Sequence, residues 1–112
     1  MKDETEEWLD ELVRSWTETF KKSLTTLELM RAVAALAPAP ANTIGQRLAQ
    51  QTGWSLTDRG LYRSLRRLTN LGLLRVDEVA VARTGAKRKD YSLTTLGVAY
   101  LERIEKVVAQ AT

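Results

Sequence analysis

The segment that decides the fold spans residues 57–70 and reads Thr-Asp-Arg-Gly-Leu-Tyr-Arg-Ser-Leu-Arg-Arg-Leu-Thr-Asn. At about 100° per residue, its leucines fall on one side of a helix; they are Leu61, Leu65 and Leu68. Thr57 is a suitable N-cap, and Gly72 supplies the stop. A cationic face lies opposite the leucines and contains Arg59, Arg63, Arg66, Arg67 and Asn70. The segment therefore predicts a helix with one face to pack and one cationic face.

A shorter helix is predicted just before it, over residues 43–51, with Asn42 as its N-cap and Gly53 past its end. The intervening turn is short and carries Trp54, which we expect to be a structural anchor. Helix, short turn and helix in this order are typical of a helix-turn-helix unit.

Downstream, a strand is predicted from residue 73 to residue 82, and a second one carries Tyr91 and Leu93. The basic loop 83–89 joins them, so the pattern predicts a β-hairpin. A basic loop beside a cationic helix is suited to contact nucleic-acid phosphates. The alternative is an ordinary basic sheet edge that discourages strand pairing. Tyr62 and Tyr91 are expected to pack in the core or the hairpin.

Upstream, the periodicity predicts helices over 3–22 and 26–37. An interruption at 23–26 separates them, and Thr25 with Glu28 forms a capping box for the second. A last helix is predicted from Thr95 to about residue 109, capped by Thr94. Both terminal helices carry apolar faces, which are covered either by a second subunit in a homodimer or by the chain's own core. The predicted interface residues are Trp8, Leu12, Trp16, Phe20, Tyr100, Leu101, Ile104 and Val108.

These elements predict a mainly α fold with a small two-stranded β-hairpin: a winged helix-turn-helix with an extra N-terminal helix and a C-terminal dimerisation helix. Residues 1–25 form the N-terminal amphipathic helix that acts as a dimer arm. Residues 26–93 form the winged helix-turn-helix core. Residues 94–112 form the C-terminal helix, which packs on the core and dimerises.

Charge is segregated along the 112 residues, although the net charge is only +3. Residues 1–20 hold two cations and seven carboxylates, whereas residues 59–89 hold nine cations and two carboxylates. The acidic block is either solvated surface or a face that repels DNA or docks on a basic partner. The basic stretch coincides with the predicted helix and hairpin loop, which favours a nucleic-acid partner.

Composition excludes several kinds of site. With no cysteine and no histidine, disulfides, thiol nucleophiles and the usual zinc ligand sets are excluded. Nothing positions a nucleophile, a base and an oxyanion site together, so we expect no enzyme activity, no cofactor and no metal. The N-terminus is acidic where a secretory signal would be basic and then apolar, and we expect a cytoplasmic protein with no membrane segment.

Guanidinium groups suit duplex DNA, because their planar fork bonds two phosphate oxygens or the O6 and N7 of guanine. The first turns of the second helix meet bases in such a motif, which favours Thr57, Asp58, Arg59 and Arg63 for base contacts. Arg66 and Arg67, further along, are expected to meet phosphate or solvent. The full predicted DNA-binding set is Asn42, Thr43, Thr57, Asp58, Arg59, Arg63, Arg66, Arg67, Lys87, Arg88 and Lys89.

Three stretches together resemble the PadR-like winged-helix transcriptional regulators: Thr-Leu-Glu-Leu-Met at 26–30, the Leu-Tyr helix at 61–74, and the Arg-Lys-x-Tyr-x-Leu-Thr strand at 88–94 closed by Gly97. The resemblance covers about residues 26–101. It implies a dimeric, often ligand-responsive repressor whose terminal helices form the dimer. Arg59-Gly60 stands where the family usually has Gly-Thr, and Arg63 where it has Pro, so no operator sequence is carried over.

The sequence thus predicts a sequence-specific double-stranded DNA-binding regulator, a repressor that binds a pseudo-palindromic operator as a homodimer. The resemblance adds a small aromatic effector, held between subunits at Trp8 or Trp16. The alternative is a protein-interaction module that uses its terminal helices and its basic face to bind a protein partner.

Overall fold

The computed structural model describes residues 3–111. Four helices lie within this range: α1 (Glu4–Leu36), α2 (Ala41–Thr52), α3 (Asp58–Asn70) and α4 (Thr95–Ala111). The three strands of the same range are β1 (Ala39–Pro40), β2 (Leu74–Ala80) and β3 (Lys87–Leu93). The order of elements confirms the predicted winged helix-turn-helix with an N-terminal and a C-terminal helix. None of the described helices is long and apolar enough to cross a membrane.

Helix α1 is continuous over 33 residues, so the predicted interruption at residues 23–26 is wrong. The Thr25 hydroxyl donates to the Lys21 carbonyl at 2.6 Å, a bond inside the helix, and does not cap a new one. No glycine or proline breaks the run, and Asp3 is the true N-cap, accepting from the Glu6 N–H at 2.8 Å. The boundary predicted at residue 25 therefore lies inside one helix.

Helix α2 begins at Ala41, two residues earlier than predicted. Its N-cap is Pro40, with no side-chain hydrogen bond, so the prediction that Asn42 caps this helix is wrong. Asn42 lies in the first helical turn because the chain changes from extended to helical backbone at Pro40, directly before Ala41. The predicted end is confirmed: Gly53 has a φ of 79°, and its N–H donates to the Ala49 carbonyl at 2.8 Å.

Helix α3 matches its prediction. The Thr57 hydroxyl accepts from the Gly60 N–H at 3.1 Å, which confirms the N-cap. Leu61, Leu65 and Leu68 are buried. The helix ends at Asn70, and the turn that follows leads directly into β2.

The sheet is antiparallel, with the strand order β1-β3-β2. The predicted hairpin of β2 and β3 is confirmed, with Leu74 opposite Leu93 and Ala80 opposite Lys87. Strand β1 was not predicted, because two residues are too few to show a period of two. The prediction that placed Lys87 to Lys89 in the loop is wrong: they belong to β3, since strand pairing continues to Val81 and Ala86.

The core lies between the second half of α1, helices α2 and α3, the sheet and the start of α4. Helix α4 lies very close to the backbone of Leu73 at Gly97. A Cβ on this glycine would collide with the Leu73 carbonyl. Thr94 accepts from the Gly97 N–H at 3.0 Å and donates to the Gly72 carbonyl at 2.6 Å, which confirms it as the N-cap. The largest fully buried side chains are Leu29, Met30, Val33, Ile44, Leu48, Leu65 and Leu68.

A cluster of polar side chains joins α1, α2 and α4. Arg31 donates to Glu105 of α4 at 3.1 Å and to Glu28 at 2.8 Å. The pKa of Arg31 is raised, chiefly by the hydrogen bond to Glu105. Gln51 of α2 donates to Glu28 at 2.8 Å, so α1, α2 and α4 share one network.

Candidate nucleic-acid interface

The cationic face of α3 is exposed over its whole length. Leucines on the opposite side are buried in the core, which fixes the direction in which the polar side chains point. The exposed residues of the predicted set on α3 and its cap are Thr57, Asp58, Arg59, Arg63, Arg66 and Arg67. The structure therefore presents a helix surface of guanidinium groups to the solvent.

The two flanks of this helix face different neighbours. Arg66 lies on the side of the sheet, in a shallow cavity of about 160 Å³ that it shares with Tyr62, Lys89 and Tyr91. Arg67 lies on the opposite side and donates to the Thr26 hydroxyl of α1 at 3.0 Å. Arg63 borders the cavity on the side of α1, and Arg59 lies between the two flanks at about 100° per residue.

Tyr62 and Tyr91 differ in burial, although both were predicted to pack. Tyr91 is buried in the sheet, and its pKa is raised, first by burial and then by Tyr62, while Arg66 acts in the opposite direction. Tyr62 is 52% exposed and therefore does not pack in the core; it lies beside the hairpin, the other position predicted for it. Its place on α3 lies about 60° around the helix from Leu65 of the buried face, next to the hairpin. A phenol at this position is available to a ligand that lies between helix and hairpin.

The start of α2 and the hairpin face each other across an open groove of about 720 Å³. Asn42 and Thr43 lie in the first turn of α2, where the backbone N–H groups have no side-chain cap. Such N–H groups, at the positive end of the helix dipole, suit an oxyanion. The predicted residues that line this groove are Asn42, Thr43, Lys87, Arg88 and Lys89, together with Tyr62.

Carboxylates neutralise part of the hairpin's charge. The Lys87 ammonium lies 3.6 Å from a Glu78 oxygen, and the Arg88 guanidinium lies 3.0 Å from an oxygen of the buried Asp90. Lys89 has no ion pair with another residue of the described range. Among Lys87, Arg88 and Lys89, Lys89 is thus the one whose charge is most available, and it borders the same cavity as Arg66.

The predicted interface residues separate into exposed and buried groups. Trp8 and Trp16 are 59% and 65% exposed, and Leu12, Phe20 and Val108 are exposed as well. Tyr100 and Ile104 are half-buried. The prediction is wrong for Leu101: this residue of α4 is buried in the core of its own chain, because α4 packs on the core at this position, and it is not available to a partner. The alternative in which both terminal helices fold back on the core is wrong for residues 4–20.

Sequence reasoning missed two cations near α3, Lys21 and Lys22. Both belong to α1, about 40 residues before α3, and no spacing rule links them to that helix. In the structure they border the same cavity as Arg63 and Arg67.

Solved structures share this arrangement of α2, α3 and hairpin. A PadR-like transcription factor from Bacteroides fragilis is 26% identical to this chain with a TM-score of 0.72, over 87% of this chain and 91% of that one. The predicted resemblance to the PadR-like transcriptional regulators is thus confirmed.

Two further structures share the PadR-like fold at lower identity. A PadR family transcriptional regulator from Eggerthella lenta is 22% identical, with a TM-score of 0.76 over 92% of this chain and 88% of that one. A PadR-like transcriptional regulator from Bacillus cereus is 17% identical, with a TM-score of 0.72 over 83% and 88%. These proteins are named as transcriptional regulators, a class that is not enzymatic. No family sequence model matches the chain, and no curated protein sequence matches it.

Proposed function

We propose that this PadR-like protein is a sequence-specific double-stranded DNA-binding transcription regulator that represses as a homodimer on a pseudo-palindromic operator. The observation that carries the proposal is the arginine face of α3. Its leucines are buried behind it, its N-cap is formed, and Tyr62 of the same helix borders the groove between the start of α2 and the hairpin.

Base recognition belongs to the first turns of α3. Thr57, Asp58, Arg59 and Arg63 are exposed there, and an α-helix of this kind fits the major groove. An arginine that bonds guanine O6 and N7 together is worth about 1–3 kcal/mol of discrimination between bases.

Phosphate contacts belong to the surfaces around that helix. Arg66, Lys89 and the other hairpin cations serve the side of the sheet, and the start of α2, with Asn42 and Thr43, offers N–H donors. Such contacts orient the protein on the duplex and carry no sequence information of their own.

The homodimer is supported by apolar surface that the single chain leaves uncovered. Trp8, Leu12, Trp16 and Phe20 form an exposed stripe, in which the rings of Trp16 and Phe20 stack at 5.1 Å. The stripe continues into a mainly apolar groove of about 700 Å³ between α1 and α4, lined by Phe20, Leu24, Leu27, Tyr100, Ile104 and Val108 among others. An apolar surface of this extent marks an interaction site. A twofold dimer would cover the same surface on both subunits. Helix-turn-helix dimers read half-sites about one DNA turn apart, and we expect the same spacing here.

Repression follows from occupancy of the operator, because a dimer that fills two adjacent major grooves excludes other proteins from the same DNA.

A small aromatic effector between Trp8 or Trp16 of two subunits stays a prediction, and the exposed indole rings are compatible with it.

Selection of bound duplexes from a random pool tests site symmetry, half-site spacing and specificity together. We expect a pseudo-palindrome with half-sites about 10–10.5 base pairs apart. Arg59→Ala and Arg63→Ala should each weaken binding to the selected site, by about 1–3 kcal/mol where the side chain contacts a base. Arg14→Ala, which removes an exposed cation of α1 outside the predicted DNA-binding set, is the matched control and should leave affinity unchanged.

Two outcomes would contradict the proposal. One is a pool that yields no enriched sequence; the other is equal affinity of wild type and both arginine variants for the selected site. Loss of all binding under excess nonspecific competitor would instead favour the protein-interaction alternative.

A further inference from the structure

A second cationic groove lies on the side of α3 that faces away from the hairpin. It has a volume of about 680 Å³ between α1, the turn before α3 and α3 itself. Four cations border it, against the single carboxylate of Glu18; they are Lys21, Lys22, Arg63 and Arg67. The hydroxyl groups of Ser23, Ser55 and Ser64 line the same groove. The groove is thus strongly positive and rich in potential donors.

Contacts within the chain hold two of these cations in place. The Arg67 guanidinium donates to the Thr26 hydroxyl at 3.0 Å, which ties it to α1. The Lys21 ammonium lies 6.0 Å from the centre of the Trp54 ring, at the outer limit of a cation–π contact. Neither arrangement neutralises the charge, because the partners are a hydroxyl and an aromatic ring. The charges therefore remain available to an external anion.

The position of the groove relative to DNA follows from the geometry of α3. Arg63, Ser64 and Arg67 point to the side of α1, whereas Tyr62 and Arg66 point to the side of the hairpin. An α-helix about 10–12 Å across fills a major groove about 12 Å wide, so both phosphate backbones pass close to its flanks. One backbone meets the hairpin side, and the other must then pass along the side of α1.

We propose that the groove between α1 and α3 binds phosphates of the operator backbone, and that Lys21 and Lys22 of α1 make these contacts from outside the helix-turn-helix. The inference rests on the proposed DNA-binding function. The long helix would then have two roles, with aromatic residues of its first half for the partner subunit and lysines at its middle for DNA.

The test compares salt dependence of operator binding for wild type, Lys21→Gln/Lys22→Gln, and the matched control Arg14→Gln/Lys106→Gln. The control also removes two exposed cations, from the first half of α1 and from α4. Each phosphate contact contributes about 0.9 to the slope of log affinity against log salt. Lys21→Gln/Lys22→Gln should therefore lower the slope by about 1–2 and leave the selected sequence unchanged. The control should keep the wild-type slope.

Glu18→Gln provides a second readout in the opposite direction. Removal of the carboxylate that borders the groove should tighten operator binding, by about twofold to fivefold at low salt, as expected for one charge near a phosphate. A loss of folding cannot produce tighter binding, so this variant tests the groove even if the double lysine variant is unstable.

Several outcomes would overturn the inference. They are an unchanged slope in Lys21→Gln/Lys22→Gln, an equal loss in the control pair, and a Glu18→Gln variant that binds no tighter. Calorimetric binding of inorganic phosphate to the DNA-free protein that is lost in the lysine variant, while the salt slope of operator binding stays unchanged, would assign the groove to a free anion instead. If wild type itself shows no salt-dependent operator binding, the proposed DNA-binding function fails too. If wild type binds as expected and only the variants differ from expectation, the phosphate-binding role of the groove alone is contradicted.

Discussion

Helix α3 and residues 4–20 of α1, here called the arm, are both amphipathic, yet the apolar face of α3 is buried and that of the arm is exposed. On α3 the leucine face is buried to 5% exposure or less. On the arm, Trp8 and Trp16 keep more than half of their surface exposed. Periodicity thus shows that a face must be covered, but it does not say whether the same chain or another one covers it.

The charged faces differ in sign as well. Arginines dominate the exposed side of α3, and carboxylates dominate the arm, whose first turn holds Glu4, Glu6 and Glu7. A duplex attracts the first surface and repels the second. The two helices are therefore suited to two different partners, DNA and a second subunit.

The largest effect is expected from the paired substitutions Leu65→Ala and Leu12→Ala. Leu65 is fully buried, so its truncation should lower the free energy of unfolding by about 2–5 kcal/mol. Leu12 is exposed in the single chain, and its truncation should cost less than about 1 kcal/mol at a concentration where the protein is monomeric. Urea unfolding at low protein concentration measures both values. Equal losses would show that the arm is covered by its own chain.

Next in size is the effect of Trp16→Ala on association. A central interface tryptophan contributes about 2 kcal/mol or more, which corresponds to about a thirtyfold weaker dimer. Sedimentation equilibrium over a concentration series measures the dimer Kd. Val98→Ala on the far side of α4 is the control, since Val98 is also exposed and apolar but lies away from the stripe. If Trp16→Ala, like the control Val98→Ala, has the same dimer Kd as wild type, the arm does not belong to the dimer interface.

A smaller effect is expected from the two N-caps. Thr57 accepts from Gly60 and Asp3 accepts from Glu6, so each cap satisfies one backbone N–H. Thr57→Ala should cost about 0.5–2 kcal/mol of global stability, because α3 unfolds only with the core. Asp3→Ala should fray the first turn of the arm and leave the global value unchanged. Urea unfolding combined with hydrogen exchange of Glu6 and Gly60 separates the local effect from the global one.

The smallest effect concerns Tyr91, the buried phenol beside α3. Burial raises the pKa of Tyr91, so the folded state holds this proton to higher pH than the unfolded chain does. Its contribution to stability is therefore complete below about pH 10, the unfolded value, and is lost as the pH rises above it. Tyr91→Phe should remove this part of the alkaline loss. The difference in Tm between variant and wild type should move in favour of the variant between pH 8 and pH 10.5; a constant difference would contradict the assignment.

Much of the fold could be predicted because its signals are local. The leucine spacing of α3, the cap at Thr57 and the glycine after α2 each act within a few residues, and each is found as predicted. Errors arose where a local signal competed with a longer one. Thr25 and Glu28 match the pattern of a capping box, but no glycine or proline interrupts the sequence around them, and α1 continues through both residues. Asn42 is a good cap by type, yet Pro40 sets the start of α2.

The amino-acid sequence was sufficient for the elements, the segregation of charge and the cationic face of α3, since each depends on residue type and spacing along a helix or strand. Three features required the folded chain: the pairing of β1 with β3, the burial of Leu101, and the meeting of Lys21 and Lys22 with Arg63 and Arg67. All three join residues that are distant along the chain. Side-chain periodicity describes the neighbours within one element, whereas contacts between elements depend on how the core packs.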